Sequence, residues 1–195
     1  MLATQRQSVG ERSVTTLISQ QILGEILLRG GQLEPSRQVL EAVLPLAYET
    51  EGLDPPVGPF RTERNLAQIE IWQDDQAAAR RRLDRAVVHE KWSELAPVQR
   101  CELLILRASL DGGAAGSGRL ASAEKECGGA WAAPPVQYQV ARFHAQRRER
   151  EEALTTLEAL PKAQFIDAWI AQDPALVSLN EEPRFQAFIA EITPR

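Results

Sequence analysis

Apolar residues recur along most of this chain at intervals of three and four, not two. Leu17, Ile18, Ile22, Leu23, Ile26 and Leu27 follow that spacing and predict a helix. Gly30-Gly31 ends it, since glycine takes up the left-handed conformation that closes a helix without steric penalty. A second helix is predicted to open near Glu34-Pro35, because proline fits the first turn, where its missing N–H has no partner to lose. Leu33, Val39, Leu40, Val43, Leu44 and Leu46 supply its apolar positions. Pro45 cannot donate to the helical ladder, so the helix is expected to bend or end there. Together the two segments read as a helical hairpin of about 34 residues.

The hairpin recurs. Twelve, sixteen and nineteen residues past Gly24 stand Ser36, Leu40 and Val43. The same offsets past Ala67 give Ala79, Leu83 and Ala86, and past Ala141 give Ala153, Leu157 and Leu160. A weaker copy counted from Leu104 gives Gly116, Leu120 and Ala123. A small residue where the first helix meets the second lets the backbones approach, and the larger residues one and two turns later fill the groove.

These features resemble the tetratricopeptide repeat family. The resemblance rests on the Leu23-Gly24, Leu66-Ala67 and Val140-Ala141 pairs, the Gly- or Asp-containing turns, the small residue opening each second helix and the ~34-residue unit. It covers 17–50, 60–93 and 134–167 well and 97–130 poorly. The large aromatic residue usual early in the first helix is missing, with Gln20 in the first repeat. The proline that usually closes a repeat is absent or displaced, and the anchors lie 43, 37 and 37 residues apart. The longest insertion is the stiff, turn-rich run Gly52-Leu-Asp-Pro-Pro-Val-Gly-Pro59. The resemblance implies an all-α, TPR-like α-solenoid. Residues 1–14 are a tail, 15–163 form three clear hairpins and one degenerate hairpin, and 164–195 form C-terminal capping helices. Phe165, Trp169, Phe185 and Phe188 suit a cap, which must cover the apolar edge of the last repeat.

Composition agrees with helices. Ala (27) and Leu (23) lead among 195 residues, and both favour helix. The net charge of -5 gives the surface nothing that draws nucleic acid or an anionic membrane. No stretch approaches the ~18 consecutive apolar residues of a membrane-spanning helix. The N-terminus lacks the apolar core of a secretory signal. Arg makes up 19 of the 22 basic residues, which fits a GC-rich, bacterial coding bias. Cys101 and Cys127, without C-x-x-C spacing, are expected to be free buried thiols of a cytoplasmic protein, with a disulfide the alternative.

Nothing along the chain reads as catalytic or metal-binding. His89 and His144 stand in different repeats, and no metalloprotease, nucleophile-elbow or Cys/His metal spacing occurs. His144 is expected to pack at least half-buried, and His89 to face a helix C-terminal dipole. The run Gly112-Gly-Ala-Ala-Gly-Ser-Gly118 lacks the strand and Gly-Lys of a phosphate loop and is expected to be a flexible turn. Arg80, Arg81, Arg82 and Arg85 are expected on a solvated face, as are Arg147, Arg148 and Arg150. Trp72, Trp92 and Trp131 are expected to pack between hairpins.

The functional expectation is therefore non-enzymatic: an adaptor or scaffold that binds a peptide or helix of a partner protein in a concave groove. It needs no cofactor or metal. A regulatory or sensory domain for a small ligand or signal peptide, or a structural subunit of a larger assembly, are the alternatives. First-helix positions turned away from the second helix are Arg61, Arg64, Asn65, Gln68 and Trp72, with Tyr138, Gln139 and Arg142 in the last repeat and Gln21, Glu25 and Arg29 in the first. Relatives implied by the resemblance grip a C-terminal carboxylate with Lys, Asn and Arg. Asn65 matches one such position, but Gln21, Glu25, Val98 and Glu102 replace the others, so that clamp is absent. What remains is an Arg-rich face on an acidic chain. It suits an acidic or amphipathic partner segment, with Trp72 or Tyr138 as an apolar anchor, because Arg forks engage carboxylates bidentately. These residues do not fix the oligomeric state.

Overall fold

A computed structural model of the chain describes residues 13–50, 58–162 and 168–193. Every regular element among them is helical. The chain divides into two compact units, with the boundary between residues 99 and 100.

The first unit contains α1 (Val14–Arg29), α2 (Leu33–Glu49), α3 (Pro59–Trp72), α4 (Gln76–Val87) and a short 3-10 turn, Glu90–Glu94. Ser13 starts α1 by accepting a hydrogen bond from the Thr16 amide at 3.1 Å. α1 packs on α2, and α3 packs on α4 and α2. The close approach expected at Gly24 is present. A Cβ there would lie 2.5 Å from Leu40 Cδ2, and the Ser36 hydroxyl donates to the Gly24 carbonyl at 2.7 Å. Leu17, Leu40, Leu66 and Leu83 are completely buried between the helices.

Pro45 does not end its helix: α2 runs on to Glu49. Pro45 and Glu41 are both exposed, so the carbonyl left without its amide partner faces solvent. Leu40, Val43 and Ala47, buried on either side of the proline, hold the segment down. The Gly52–Val57 part of the insertion lies outside the described residues, and Pro59 opens α3.

The second unit holds α5 (Pro97–Ser109, whose first turn straddles the boundary), α6 (Gly113–Cys127), a 3-10 turn (Gly128–Ala132), α7 (Pro134–Gln146), α8 (Arg150–Glu158), 3-10 turns at Ala168–Gln172 and Pro174–Leu179, and α9 (Pro183–Ile192). Its core joins Ala153 and Leu157 of α8 to Leu176, Leu179, Phe185 and Phe188 of the tail, with Trp169 packed at the edge. Phe165 lies outside the described residues.

Two expectations fail in this unit. Residues 113–118 are not a flexible turn but the opening turns of α6. Gly116 is buried there, and a Cβ would sit 2.3 Å from the Asp111 carbonyl oxygen, so this glycine serves a close approach. Arg147 pins the start of α6 by donating to the Gly113 carbonyl at 2.9 Å and to the Ser117 hydroxyl at 3.1 Å. Cys101 and Cys127 are not free thiols but a disulfide. The turn between α5 and α6 sets the start of one helix beside the end of the other, with the two Cα atoms 5.7 Å apart, inside bridging range.

The hairpin offsets hold throughout. Ser36, Ala79, Gly116 and Ala153 are all buried. So are Leu40, Leu83 and Leu157, whereas Leu120 of the weak copy is only half-buried. No helix among the described residues is long and apolar enough to cross a membrane.

Candidate partner-binding face

In the first unit α1 and α3 are in contact, and polar side chains take part in that contact beside buried Leu28 and Leu66. The Gln21 amide nitrogen, buried at 1% exposure, donates to Thr62 Oγ1 at 2.9 Å and to the Gly58 carbonyl at 3.3 Å. One turn on, Glu25 collects guanidinium groups from both helices. Its Oε1 accepts from Arg29 Nη2 at 2.9 Å. Its Oε2 accepts from Arg61 through Nε, at 2.9 Å, and through Nη2. Burial pushes the Glu25 carboxyl up, but the charges of Arg61, Arg64 and Arg29 and the Arg61 hydrogen bond more than offset it. Its pKa falls below the ordinary 4.5, and Glu25 stays an anion near neutral pH.

Asn65 stands next to Arg64 and is buried at 4% exposure. Its Oδ1 accepts a long bond from Arg64 Nη2, at 3.4 Å. Asn65 Nδ2 and Gln21 Oε1 meet no hydrogen-bond partner, a costly condition for buried polar atoms.

Beside this cluster α1 turns an aliphatic row outward. Val14 (37% exposed), Ile22 (43%) and Ile26 (61%) stand in it, with half-buried Ile18 completing the spacing of four. Such a row is a ridge of the type that fits the groove of another helix, and from 14 to 26 it extends about 18 Å. The sequence reading used Ile18, Ile22 and Ile26 as apolar positions that predict a helix and did not assign them to an exposed row. The available signal was that apolar residues cover too wide an arc of α1 for a single buried stripe.

The other proposed binding residues are engaged within their own units. Gln68 is buried on α3, and Trp72 packs against the cluster of Leu28, Leu40, Leu66 and Ile69. Tyr138, Gln139 and Arg142 lie on α7 of the second unit. The Tyr138 hydroxyl donates to Asp173 Oδ2 at 2.6 Å, and Arg142 Nε lies 2.9 Å from the same oxygen. Arg142 Nη1 donates to Gln139 Oε1 at 2.7 Å. Asp173 Oδ1 in turn accepts from the Ala175 amide at 2.9 Å and starts the Pro174–Leu179 turn. Thus Arg61 bonds Glu25, the Arg64 charge acts on it and Asn65 bonds Arg64, whereas Tyr138 and Arg142 fasten the tail of their own unit.

Arg82 departs from the solvated face expected of its cluster. It is buried, with Nε and Nη2 on the Glu70 carboxylate at 2.7–3.0 Å and Nη1 2.8 Å from Glu63. Burial works against its charge, and the Glu70 and Glu63 hydrogen bonds overcome that and raise its pKa. The Tyr48 hydroxyl donates to Glu63 at 3.1 Å, and burial, followed by the Glu63 charge, pushes the Tyr48 pKa up. His89 caps the Glu90–Glu94 turn, accepting from the Lys91 amide at 3.2 Å, and stacks on Tyr48 with centroids 4.8 Å apart. His144 is half-buried, with Nδ1 2.7 Å from Glu149 Oε2. Among the described residues no group of three His, Cys, Asp or Glu side chains is placed to hold a metal ion.

No protein-family model matches the chain, and no match was found among curated proteins or solved structures. The chemistry of the α1 and α3 surface therefore carries the functional reading.

Proposed function

We propose that the chain is a protein-interaction module, built as a TPR-like array, and that the outward face of α1 with the neighbouring Arg cluster of α3 docks an acidic amphipathic helix. One observation carries this reading: an exposed aliphatic ridge runs beside a point where three guanidinium groups hold a carboxylate ionised against burial. The ridge supplies non-directional attraction, roughly 25 cal/mol for each Å² removed from water. The arginines supply orientation, because planar forks favour carboxylates in defined positions. A helix with a Leu or Ile stripe flanked by Glu satisfies both at once. Tyr138, Gln139 and Arg142 take no part in this reading.

The test uses a labelled 20-residue amphipathic peptide with a Leu stripe flanked by Glu, and a twin with Gln at every Glu. The acidic peptide should bind saturably in fluorescence anisotropy, and weaken as salt screens the arginines. Ile22→Ser with Ile26→Ser should weaken it by about tenfold or more, equal to 1.4 kcal/mol or more. Indistinguishable binding of the two peptides would contradict the reading. So would a concentration-dependent dimer in size-exclusion chromatography that the Ile22→Ser/Ile26→Ser variant abolishes, since the ridge would then belong to a second copy.

A further inference from the structure

Resting on that reading, we propose that Glu25 is a built-in competitor: its carboxylate occupies the anion position of the docking face and holds the arginines until a partner carboxylate displaces it. Glu25 sits where an incoming acidic side chain would sit, beside Ile22 and Ile26 and against guanidinium groups from two helices. It engages Nε and Nη2 of Arg61, the edge that a ligand carboxylate would use for a two-point contact.

The group is also placed to exchange. The side chain of Glu25 is 13% exposed, that of Arg61 28% and that of Arg29 44%, so the cluster opens to solvent along one side. A partly buried pair contributes only modestly to net stability, because the desolvation of its ions offsets most of their attraction. The packing of α1 against its neighbours also has contacts that do not involve Glu25. Gln21 bonds Thr62 one turn earlier, and buried Leu17, Leu28 and Leu66 fill the contact. In contrast, the buried carboxylates of Glu63 and Glu70 have a fixed partner in Arg82, well removed from solvent. A removable anion at the surface edge sets a threshold. A weakly acidic segment fails to displace Glu25, and one presenting several carboxylates succeeds. The threshold therefore selects by charge density as well as by apolar fit.

The experiment measures binding of the Glu peptide and its Gln twin to the unmodified chain, to Glu25→Gln and to Glu25→Ala. Circular dichroism and the melting temperature verify the fold of each. With Glu25 removed, the Glu peptide should bind about tenfold tighter, and the Gln twin should be unchanged. A peptide carrying sulfonates in place of carboxylates gives a second readout on the unmodified chain. Its affinity should rise as pH falls and Glu25 protonates, and the rise should be smaller in Glu25→Gln. Equal or weaker binding of the Glu peptide to both Glu25 variants would overturn the competitor role while leaving the docking face intact. If no version of the chain prefers the Glu peptide to its Gln twin, the docking face fails, and the competitor role with it.

Discussion

The two units of this chain divide burial differently between charged and apolar side chains. In the first, charged and amide side chains are buried between helices: Arg82 with Glu63 and Glu70, and Gln21 with Thr62. In the second, the tail closes on aliphatic and aromatic side chains, and a disulfide joins α5 to α6. Arg184 of its tail pairs with Glu151 and Glu158 at the surface, and Arg142 with Asp173 is a buried ion pair that ties the tail to α7. Buried polar networks cost desolvation and contribute specificity of packing more than stability, whereas apolar cores contribute stability directly. The aliphatic ridge of α1 and its Arg cluster belong to the unit that spends burial on polar groups.

Breaking the Arg82 network should have the largest effect. Arg82→Ala leaves Glu63 and Glu70 buried without their main cation, with Arg37 4.0 Å from Glu70, and should cost about 3–5 kcal/mol in urea unfolding. Replacing all three with apolar residues of similar size, as Arg82→Met, Glu63→Leu and Glu70→Leu, should recover most of that loss. A single replacement as mild as the triple one would mean that the network is not a coupled unit.

In the second unit, reducing the disulfide should come next. Cys101 and Cys127 are 26 residues apart, and opening a loop of that size should lower unfolding free energy by ~3 kcal/mol. Chemical denaturation with and without dithiothreitol checks this, and Cys101→Ala with Cys127→Ala should reproduce the reduced state. Identical curves would remove the disulfide from the comparison.

A smaller effect is expected at Gly116. Gly116→Ala forces a Cβ against the Asp111 carbonyl oxygen and should cost roughly 1–3 kcal/mol. Gly118→Ala, where a Cβ meets open space within the same helix, should be neutral or stabilising by up to about 1 kcal/mol. Equal effects at the two positions would restore the flexible-turn reading of this run.

The smallest expected effect is a pH dependence. Glu25 has a folded pKa below its ordinary value, so its contribution to stability is present above pH 4.5. It is lost as pH falls through the lower folded value, as the native state then takes up a proton that the unfolded chain already holds. Glu25→Gln should flatten the stability profile in that acid range and leave it unchanged near neutrality. The comparison is made by melting temperature across pH.

Much of the architecture was legible in the sequence because it depends on local rules. The offsets counted from Gly24, Ala67 and Ala141 name residues that are buried in the hairpins, since close helix packing requires small and large residues at fixed spacing. What escaped depends on contacts that no spacing rule encodes. Arg82 reads as one of a surface run until Glu63 and Glu70 close around it. The glycine run reads as a loop, because nothing local shows the Asp111 carbonyl against Gly116. Cys101 and Cys127 carry no spacing motif, and only the hairpin brings them together. At the candidate site the sequence named Arg61, Arg64 and Asn65 together because they lie within one stretch of α3. The capture of Arg61 by Glu25 and the exposure of Ile22 and Ile26 follow from the placement of α1 beside α3.

The docking face is tested most directly by reversing the charge of the two arginines that flank the Arg61–Glu25 pair. Arg29→Glu with Arg64→Glu also removes the Arg29 hydrogen bond to Glu25 and the Arg64 charge near it, so circular dichroism and the melting temperature first establish that the variant is folded. The variant should lose about tenfold or more in affinity for the Glu peptide and gain affinity for a twin carrying Lys at those positions. Unchanged preference for the Glu peptide in a folded Arg29→Glu/Arg64→Glu variant would contradict the docking face.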